Sequence, residues 1–293
     1  MALFEARHLH KRFGSQVVLE DISLTVERGE LRGIMGPNGA GKTTCFNVLT
    51  GRYRPARGQV TFEGRDITGL SPRRVAQRGI SRSFQVMNLF DEYAAIDNVV
   101  IALPAVRARG WSMWRDLARQ HSAYDEAATI LQRVGLSGKE HVPSRSLSYG
   151  ERRALEIGVA LAAKPKLLFL DEPTAGLGAE GTVRLTELVA SLKRELTHVI
   201  IEHDMRLLFG LADRVSVIHW GQVIAEGTPA ALRAAAFAMG AARRLMPRGS
   251  RGWSAAPTGW RAVRPVCLRR SPAPSGSPIH DRPARTRSAC RAR

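Results

Sequence analysis

The sequence lacks any apolar run that approaches the roughly 18 residues of a membrane-spanning helix. It also lacks a secretory signal, because charged side chains interrupt residues 1–13. Only three cysteines occur in 293 residues, and none has the spacing of a metal ligand. Of these, Cys45 is predicted to be a small buried hydrophobe. These absences predict a protein that is made and kept in the cytosol.

Acidic residues are scarcer than basic ones, 26 against 44, and the imbalance is concentrated near the C-terminus. Residues 240–293 hold 13 arginines, no lysine and one acidic residue, and therefore carry +12 of the net charge of +18. The remaining +6 is ordinary for a domain that binds a polyanionic nucleotide, so no nucleic-acid partner is expected.

The same segment, 240–293, has no apolar periodicity, and prolines recur in it without helix or strand spacing. We expect it to be disordered, because it buries too little apolar surface to offset the entropy of ordering. Its mixture of Arg, Ala, Pro, Ser and Gly is typical of a GC-rich gene read in a shifted frame. Weak attraction to anionic lipid is the alternative interpretation.

The best-defined motif that is present lies at residues 36–44 and fits G-x-x-x-x-G-K-[ST]. A short buried strand is predicted before it at 31–35, and a helix is predicted after it at 44–50. Loop N–H groups and the helix N-terminus would surround phosphate groups. Lys42 would reach the β- and γ-phosphates, and the Thr43 hydroxyl would ligate Mg²⁺. The residues expected to bind nucleotide here are Gly36, Pro37, Asn38, Gly39, Ala40, Gly41, Lys42, Thr43 and Thr44.

Apolar strands alternate with helical stretches along the chain, which predicts an α/β fold with a parallel core sheet. The helical stretch from about 86 to 163 lies between two halves of that core and is predicted to form a separate lobe. Strands are predicted at 3–9, 17–26, 59–64, 80–85, 166–172, 198–203, 214–219 and 222–225, with a turn at 11–15. Helices are predicted at 71–76, 148–163 and 183–193, and the pattern is helical over 98–136 with a break around Gly110.

Two acidic residues end the apolar strand at 166–172, where open α/β sheets bind ligands. We expect Asp171 to hold Mg²⁺ through water and Glu172 to act as the general base on the attacking water. A phosphate loop alone fits a kinase, a GTPase or a transporter motor, so further motifs must decide.

A second anion site is indicated at residues 147–151. Ser148 and Glu151 have the spacing of a capping box, which stabilises a helix without any ligand. A helix N-terminus with Ser148 and Gly150 also suits an anion. Because the loop at 36–44 already serves the chain's own phosphates, this second site suggests contact with the ATP of another subunit.

In this order and spacing, the motifs resemble those of the ATP-binding subunits of ABC transporters over about residues 3–232. Residues 36–44 match the Walker A loop, 167–172 the Walker B strand and 147–151 the signature loop. The resemblance implies a P-loop NTPase fold of the ABC type, with an antiparallel β subdomain and an inserted helical lobe, spanning 1–239. It implies catalytic roles for Lys42, Glu172 and His203, metal contacts from Thr43, Gln85 and Asp171, adenine stacking on Phe13, and nucleotide contacts from Ser148, Tyr149, Gly150 and Glu151.

The sequences at 84–90, 148–157 and 201–205 look like those of branched-chain amino acid importers. Importers of urea or short amides have similar sequences at many of these positions. The resemblance implies a dimer with an identical or homologous ATP-binding subunit that sandwiches ATP and Mg²⁺. It also implies an integral-membrane permease as partner, an indirect link to a solute-binding protein, and a peripheral place on the cytoplasmic face of the membrane. A soluble ABC ATPase acting on nucleic acid or ribosomes is the alternative.

The chain departs from the family pattern in two places. Gly178 stands where most members have Asp, which removes a side chain that crosses the dimer interface. The usual short C-terminal segment is replaced by the arginine-rich residues described above.

Overall fold

The computed structural model describes residues 2–83, 89–107, 121–193 and 195–235. The strands are β1 (Ala2–Phe13), β2 (Gln16–Glu27), β3 (Leu31–Met35), β4 (Arg57–Phe62), β5 (Arg65–Asp66), β6 (Ile80–Arg82), β7 (Leu167–Asp171), β8 (Thr197–Ile201), β9 (Arg214–His219) and β10 (Gln222–Gly227). The helices are α1 (Lys42–Leu49), α2 (Pro72–Gln77), α3 (Ala95–Ala102), α4 (Pro104–Arg107), α5 (His121–Arg133), α6 (Tyr149–Ala162), α7 (Ala179–Leu192) and α8 (Met205–Leu211). No helix within these ranges is long and apolar enough to span a bilayer.

The strands form two sheets. The smaller sheet is antiparallel, in the order β2-β1-β4-β5. The larger sheet has the order β10-β9-β3-β8-β7-β6, and its strands are parallel except for β10, which forms a hairpin with β9. The predicted parallel core and antiparallel β subdomain are therefore both present.

The two faces of the larger sheet support separate apolar clusters. Side chains of a strand alternate between faces, so Leu168 and Leu170 of β7 belong to the cluster of helices α3, α5, α6, α7 and α8, whereas Leu167 and Phe169 belong to the cluster of α1 and the smaller sheet. The helices of the predicted lobe thus share one face of the sheet with α7 and α8, and the helix after the phosphate loop lies against the other face.

An arginine is buried in the predicted apolar strand β3. Arg32 forms ion pairs of 2.9 Å with both Glu30 and Glu226, and it donates to the Thr25 carbonyl and to Ser216 Oγ. A buried charge needs such partners. The network also connects β3 to the β9–β10 hairpin.

Several predicted boundaries were wrong by a few residues. The first turn is shorter than 11–15 because β1 continues to Phe13, the helix after the phosphate loop begins at Lys42, and α7 begins at Ala179. Strand β6 ends at Arg82 and β8 at Ile201, so both are shorter than predicted. Residues 84–88 and 236–293 lie outside the described residues, and so does the predicted disorder of 240–293.

Candidate functional site

The phosphate loop connects β3 to α1 and is packed too tightly for a side chain at its start. A Cβ on Gly36 would lie 2.1 Å from the Ile218 carbonyl oxygen. Gly221 N donates to the Ala40 carbonyl over 3.0 Å, which ties the loop to the β9–β10 hairpin. Gly41 caps α1 without a side-chain hydrogen bond, so the first N–H groups of the helix have no side-chain acceptor there and suit an anion.

Lys42 lies within this loop. Its side chain is buried, and Nζ donates to the carbonyl oxygens of Gly36 (2.8 Å) and Pro37 (3.1 Å). The neighbouring Thr43 is exposed on the same helix. Cys45 lies buried beneath them, where burial raises the pKa of its thiol to about 12. The prediction of Cys45 as a buried hydrophobe is confirmed.

Asp171 ends β7 and is almost completely buried, at 3% exposed. Its backbone N–H donates to Ser83 Oγ over 3.3 Å. Burial, followed by the adjacent charge of Glu172, raises the pKa of Asp171 to about 6. A cation near this carboxylate would therefore relieve an unfavourable charge.

The donor set fits Mg²⁺. Asp171 and the hydroxyl of Thr43 are hard oxygen ligands of the kind that Mg²⁺ takes. Among the described residues, no group of three or more His, Cys, Asp or Glu side chains could hold a metal ion alone. A bound Mg²⁺ would complete its coordination with phosphate and water oxygens, as is usual for this ion.

Glu172, the residue after Asp171, has an unusual backbone conformation. Its φ of 45° lies in the left-handed region, which costs of order 1–3 kcal/mol for a residue other than glycine. Its N–H donates to the Ile201 carbonyl over 2.8 Å, so the turn is held against the end of β8. Such strain persists where the surroundings impose it, and it is concentrated at functional sites.

His203 lies just beyond β8, with 62% of its side chain exposed. The preceding Glu202 is fully buried and accepts three hydrogen bonds, from the Thr174 hydroxyl (2.6 Å), Thr174 N (3.1 Å) and His203 N (3.2 Å). Glu202 therefore joins the loop after β7 to the histidine. Sequence reasoning missed this role, although an acidic residue at the end of a buried strand was a signal for it.

The signature residues begin α6, and the predicted capping box is present. Ser148 Oγ accepts from Glu151 N (3.3 Å), and Ser148 N donates to Glu151 Oε2 (2.8 Å). Tyr149 is half exposed, and its hydroxyl donates to the Ala175 carbonyl over 3.3 Å. The signature loop thus contacts the loop that follows Glu172.

Phe13 ends β1 with 44% of its surface exposed. Its ring packs edge-to-face against Tyr53, with 5.4 Å between the ring centroids, and Lys11 Nζ lies 5.0 Å from its centroid. Nearly half of the Phe13 surface is therefore exposed, which suits contact with a planar base. Tyr53 was not predicted to take part, because nothing in its sequence context relates it to Phe13.

Topology brings most of these residues to one edge. Strands β3, β8 and β7 are adjacent and parallel, so the residues that follow them emerge at the same side of the sheet. Lys42 follows β3, Asp171 and Glu172 end β7, and His203 follows β8. Gln85 is not among the described residues. An anion-binding loop at the same edge as a buried acid and a half-buried acid suits a triphosphate with a metal ion, and the hydrolysis of that triphosphate.

The family model described as ABC transporter matches residues 19–175 of the chain. The chain belongs to the ABC transporter family. As an ABC ATPase, it has the predicted P-loop NTPase fold, it binds adenine nucleotide, and its activity is ATP hydrolysis.

Among ABC proteins, the chain is similar to the high-affinity branched-chain amino acid transport ATP-binding protein LivG of Salmonella typhimurium. The two are 38% identical over 240 residues, which cover 79% of this chain and 93% of LivG. BraF of Pseudomonas aeruginosa, with the same descriptive name, is 36% identical over 238 residues, with the same coverage of each chain. The structure of the ATP-binding cassette MJ1267 in its ADP conformation is similar with a TM-score of 0.68 and 32% identity, covering 78% of this chain and 91% of that one.

Proposed function

We propose that this ABC ATPase is the motor subunit of an importer for branched-chain amino acids. The proposal rests on one observation: four residues that suit ATP hydrolysis lie at one edge of the parallel sheet. They are Lys42, Asp171, Glu172 and His203. The solute is inferred from the names of LivG and BraF, each of which is covered over 93% of its length.

Each proposed role follows from the chemistry of the side chain. Residues 36–44 hold the phosphates, and Lys42 neutralises their charge. Glu172 accepts a proton from the attacking water, and His203 contacts the γ-phosphate. Asp171, Thr43 and Gln85 would hold Mg²⁺, which would supply charge neutralisation and orientation of the phosphates.

The proposed assembly is a dimer of ATP-binding subunits that shares two sites. Residues 148–151 of each subunit contact the nucleotide held by the other, because the loop at 36–44 already serves the chain's own phosphates. Gly178 has nothing within 4 Å of the position where its Cβ would lie. Because residue 178 is glycine, the proposed interface lacks the side chain that most family members place there.

The proposed partners are an integral-membrane permease, reached from the cytoplasmic face, and through it a solute-binding protein. Import of urea or short amides remains the nearest alternative for the solute. Family membership and the importer relatives do not favour a soluble ATPase acting on nucleic acid or ribosomes.

The test is to isolate the full chain from membranes of its own cell and to identify what copurifies with it. We expect a polytopic membrane protein. Vesicles containing that complex should accumulate leucine, but not urea or acetamide, at the expense of ATP. A matched complex carrying Lys42→Ala should assemble and fail to transport. Recovery with ribosomes or DNA alone, or uptake of urea instead of leucine, would contradict the proposal.

A further inference from the structure

One buried guanidinium contacts the backbone of the residues around Glu172. Arg153 lies on α6 and is 2% exposed. Its Nε donates to the Pro173 carbonyl (3.2 Å), and its Nη2 donates to the carbonyls of Asp171 (3.3 Å) and Glu172 (3.1 Å). Nη1 forms an ion pair of 2.6 Å with the buried Glu156. Three consecutive carbonyl groups are thus held by one side chain.

These contacts fix the peptide groups on both sides of the Glu172 Cα atom. The Glu172 N–H is held by Ile201 of β8, and its carbonyl accepts from Arg153 and from Ala175 N (3.0 Å). With both peptide groups fixed, the left-handed φ of 45° is imposed, and the direction of the Cα–Cβ bond is set.

Tyr149 makes a second contact from one helical turn earlier. Residues four apart lie on the same face of a helix, and the Tyr149 hydroxyl donates to the Ala175 carbonyl. The Tyr149 ring packs closely against Gly176, which has a φ of +78°. A Cβ at Gly176 would lie 3.2–3.3 Å from ring and hydroxyl atoms of Tyr149. The side chains of Arg153 and Tyr149 therefore connect α6 to the loop that carries Glu172.

We propose that Arg153 is a positioning residue that holds the strained turn at Glu172, with Tyr149 as a second contact, so that the start of α6 and Glu172 keep one fixed geometry. The inference rests on the proposed role of Glu172 as the base. Arginine suits this task because its planar group has five donors in a fixed arrangement, whereas lysine is a point charge that cannot reach three carbonyls in that geometry.

The decisive variant is Arg153→Lys in the full chain, which keeps a cation beside Glu156. We expect single-turnover ATP hydrolysis to slow by about 10²-fold, a loss that a displacement of about 1 Å at a reacting group can cause. The dissociation constant of ATP should stay unchanged, because the phosphate loop is untouched. The matched control is Arg152→Lys. Arg152 is the next residue along α6, its guanidinium pairs with Asp91 over 2.5 Å, and its variant should keep the wild-type rate.

A double variant separates positioning from general loss of structure. If Arg153 acts through Glu172, adding Arg153→Lys to Glu172→Gln should slow the residual reaction no further. Tyr149→Phe, which loses only the hydroxyl, should slow hydrolysis by about threefold, as expected for one neutral hydrogen bond. That variant keeps the proposal testable if Arg153→Lys does not fold.

Each adverse outcome has a distinct meaning. A folded Arg153→Lys protein with the wild-type rate overturns the positioning role, and so does a slowing that multiplies with that of Glu172→Gln. If Arg153→Lys does not fold and Tyr149→Phe keeps the wild-type rate, the proposal also fails. A Glu172→Gln variant that retains the wild-type rate refutes the proposed base itself, and with it the positioning of that base.

Discussion

At the scale of single residues, two adjacent carboxylates at the end of β7 have different surroundings. Asp171 is buried and its pKa is raised, whereas Glu172 is half-buried on a strained turn. The first suits a metal ion, and the second suits proton transfer at the exposed side of the site. Burial and backbone conformation thus give two neighbours in sequence different environments.

Glu172→Gln is predicted to slow ATP hydrolysis by about 10²–10⁴-fold while nucleotide binding is retained. The amide cannot accept a proton from water, but Lys42 and Thr43 still hold the phosphates. Rapid-quench hydrolysis and equilibrium binding on the same preparation check both parts. A variant that hydrolyses ATP at nearly the native rate would show that the base lies elsewhere.

His198 makes the stability of the fold sensitive to acid. It lies fully buried in β8, and burial lowers its pKa to about 4. Below pH 6.5 the unfolded chain binds a proton that the folded chain does not, so stability falls as the pH drops from about 6.5 towards 4. Asp171 has the opposite effect, because its raised pKa makes the folded chain the better proton acceptor between about pH 6 and 4.

Between pH 7.5 and pH 5, the free energy of unfolding of the His198→Leu variant is predicted to fall by about 2 kcal/mol less than that of the wild type. This difference follows from linkage to the lowered pKa of His198. Urea unfolding of both proteins at the two pH values measures this difference. Equal acid sensitivity in the two proteins would show that His198 does not titrate as its burial implies.

At the scale of elements, the start of α6 combines two functions in one residue. Ser148 caps the helix, and we propose that it also faces the partner's nucleotide. Aspartate is an equally good N-cap, but it brings a negative charge towards a triphosphate.

Ser148→Asp is therefore predicted to keep the melting temperature within about 2 °C and to abolish hydrolysis by the dimer. ATP binding to the isolated chain should be unaffected. Ser148→Thr, which keeps a hydroxyl cap, is the active control. If the isolated Ser148→Asp chain loses ATP affinity, Ser148 serves its own site instead of the partner's.

Elements with a strong apolar signal were predicted best. The bounds of strands β3, β7 and β8 were predicted to within two residues, because at least four of the five residues in each strand are buried. The start of α7 was missed by four residues, because its first turn is exposed or half-buried and carries no apolar periodicity. The contacts of Arg153 could not be predicted at all, since they join α6 to residues 18–20 positions away and depend on the finished fold.

At the scale of the whole molecule, most of the excess positive charge and the proposed site lie in different parts of the chain. All proposed site residues fall between 13 and 203, whereas residues 240–293 carry +12 of the net +18. The alignment with LivG covers 79% of this chain and 93% of LivG.

A chain that lacks residues 241–293 is accordingly predicted to hydrolyse ATP at the rate of the full chain. Because the removed residues carry +12, it should also bind anionic vesicles less tightly. Hydrolysis assays and vesicle sedimentation on both chains test these two expectations. A truncated chain that is folded but inactive would assign the removed segment a part in the reaction.

The two apolar clusters on opposite faces of the larger sheet have a consequence for how this protein can change. Because β7 and β8 alternate between the clusters, Leu168, Leu170 and Ile200 belong to the cluster that includes helices α3, α5, α6, α7 and α8, while Phe169 and Val199 belong to the cluster that includes α1 and the smaller sheet. Substitutions at alternate positions of one strand therefore change the packing of different clusters. Selection can remodel one cluster while the packing behind the phosphate loop, one residue away along the chain, stays as it is.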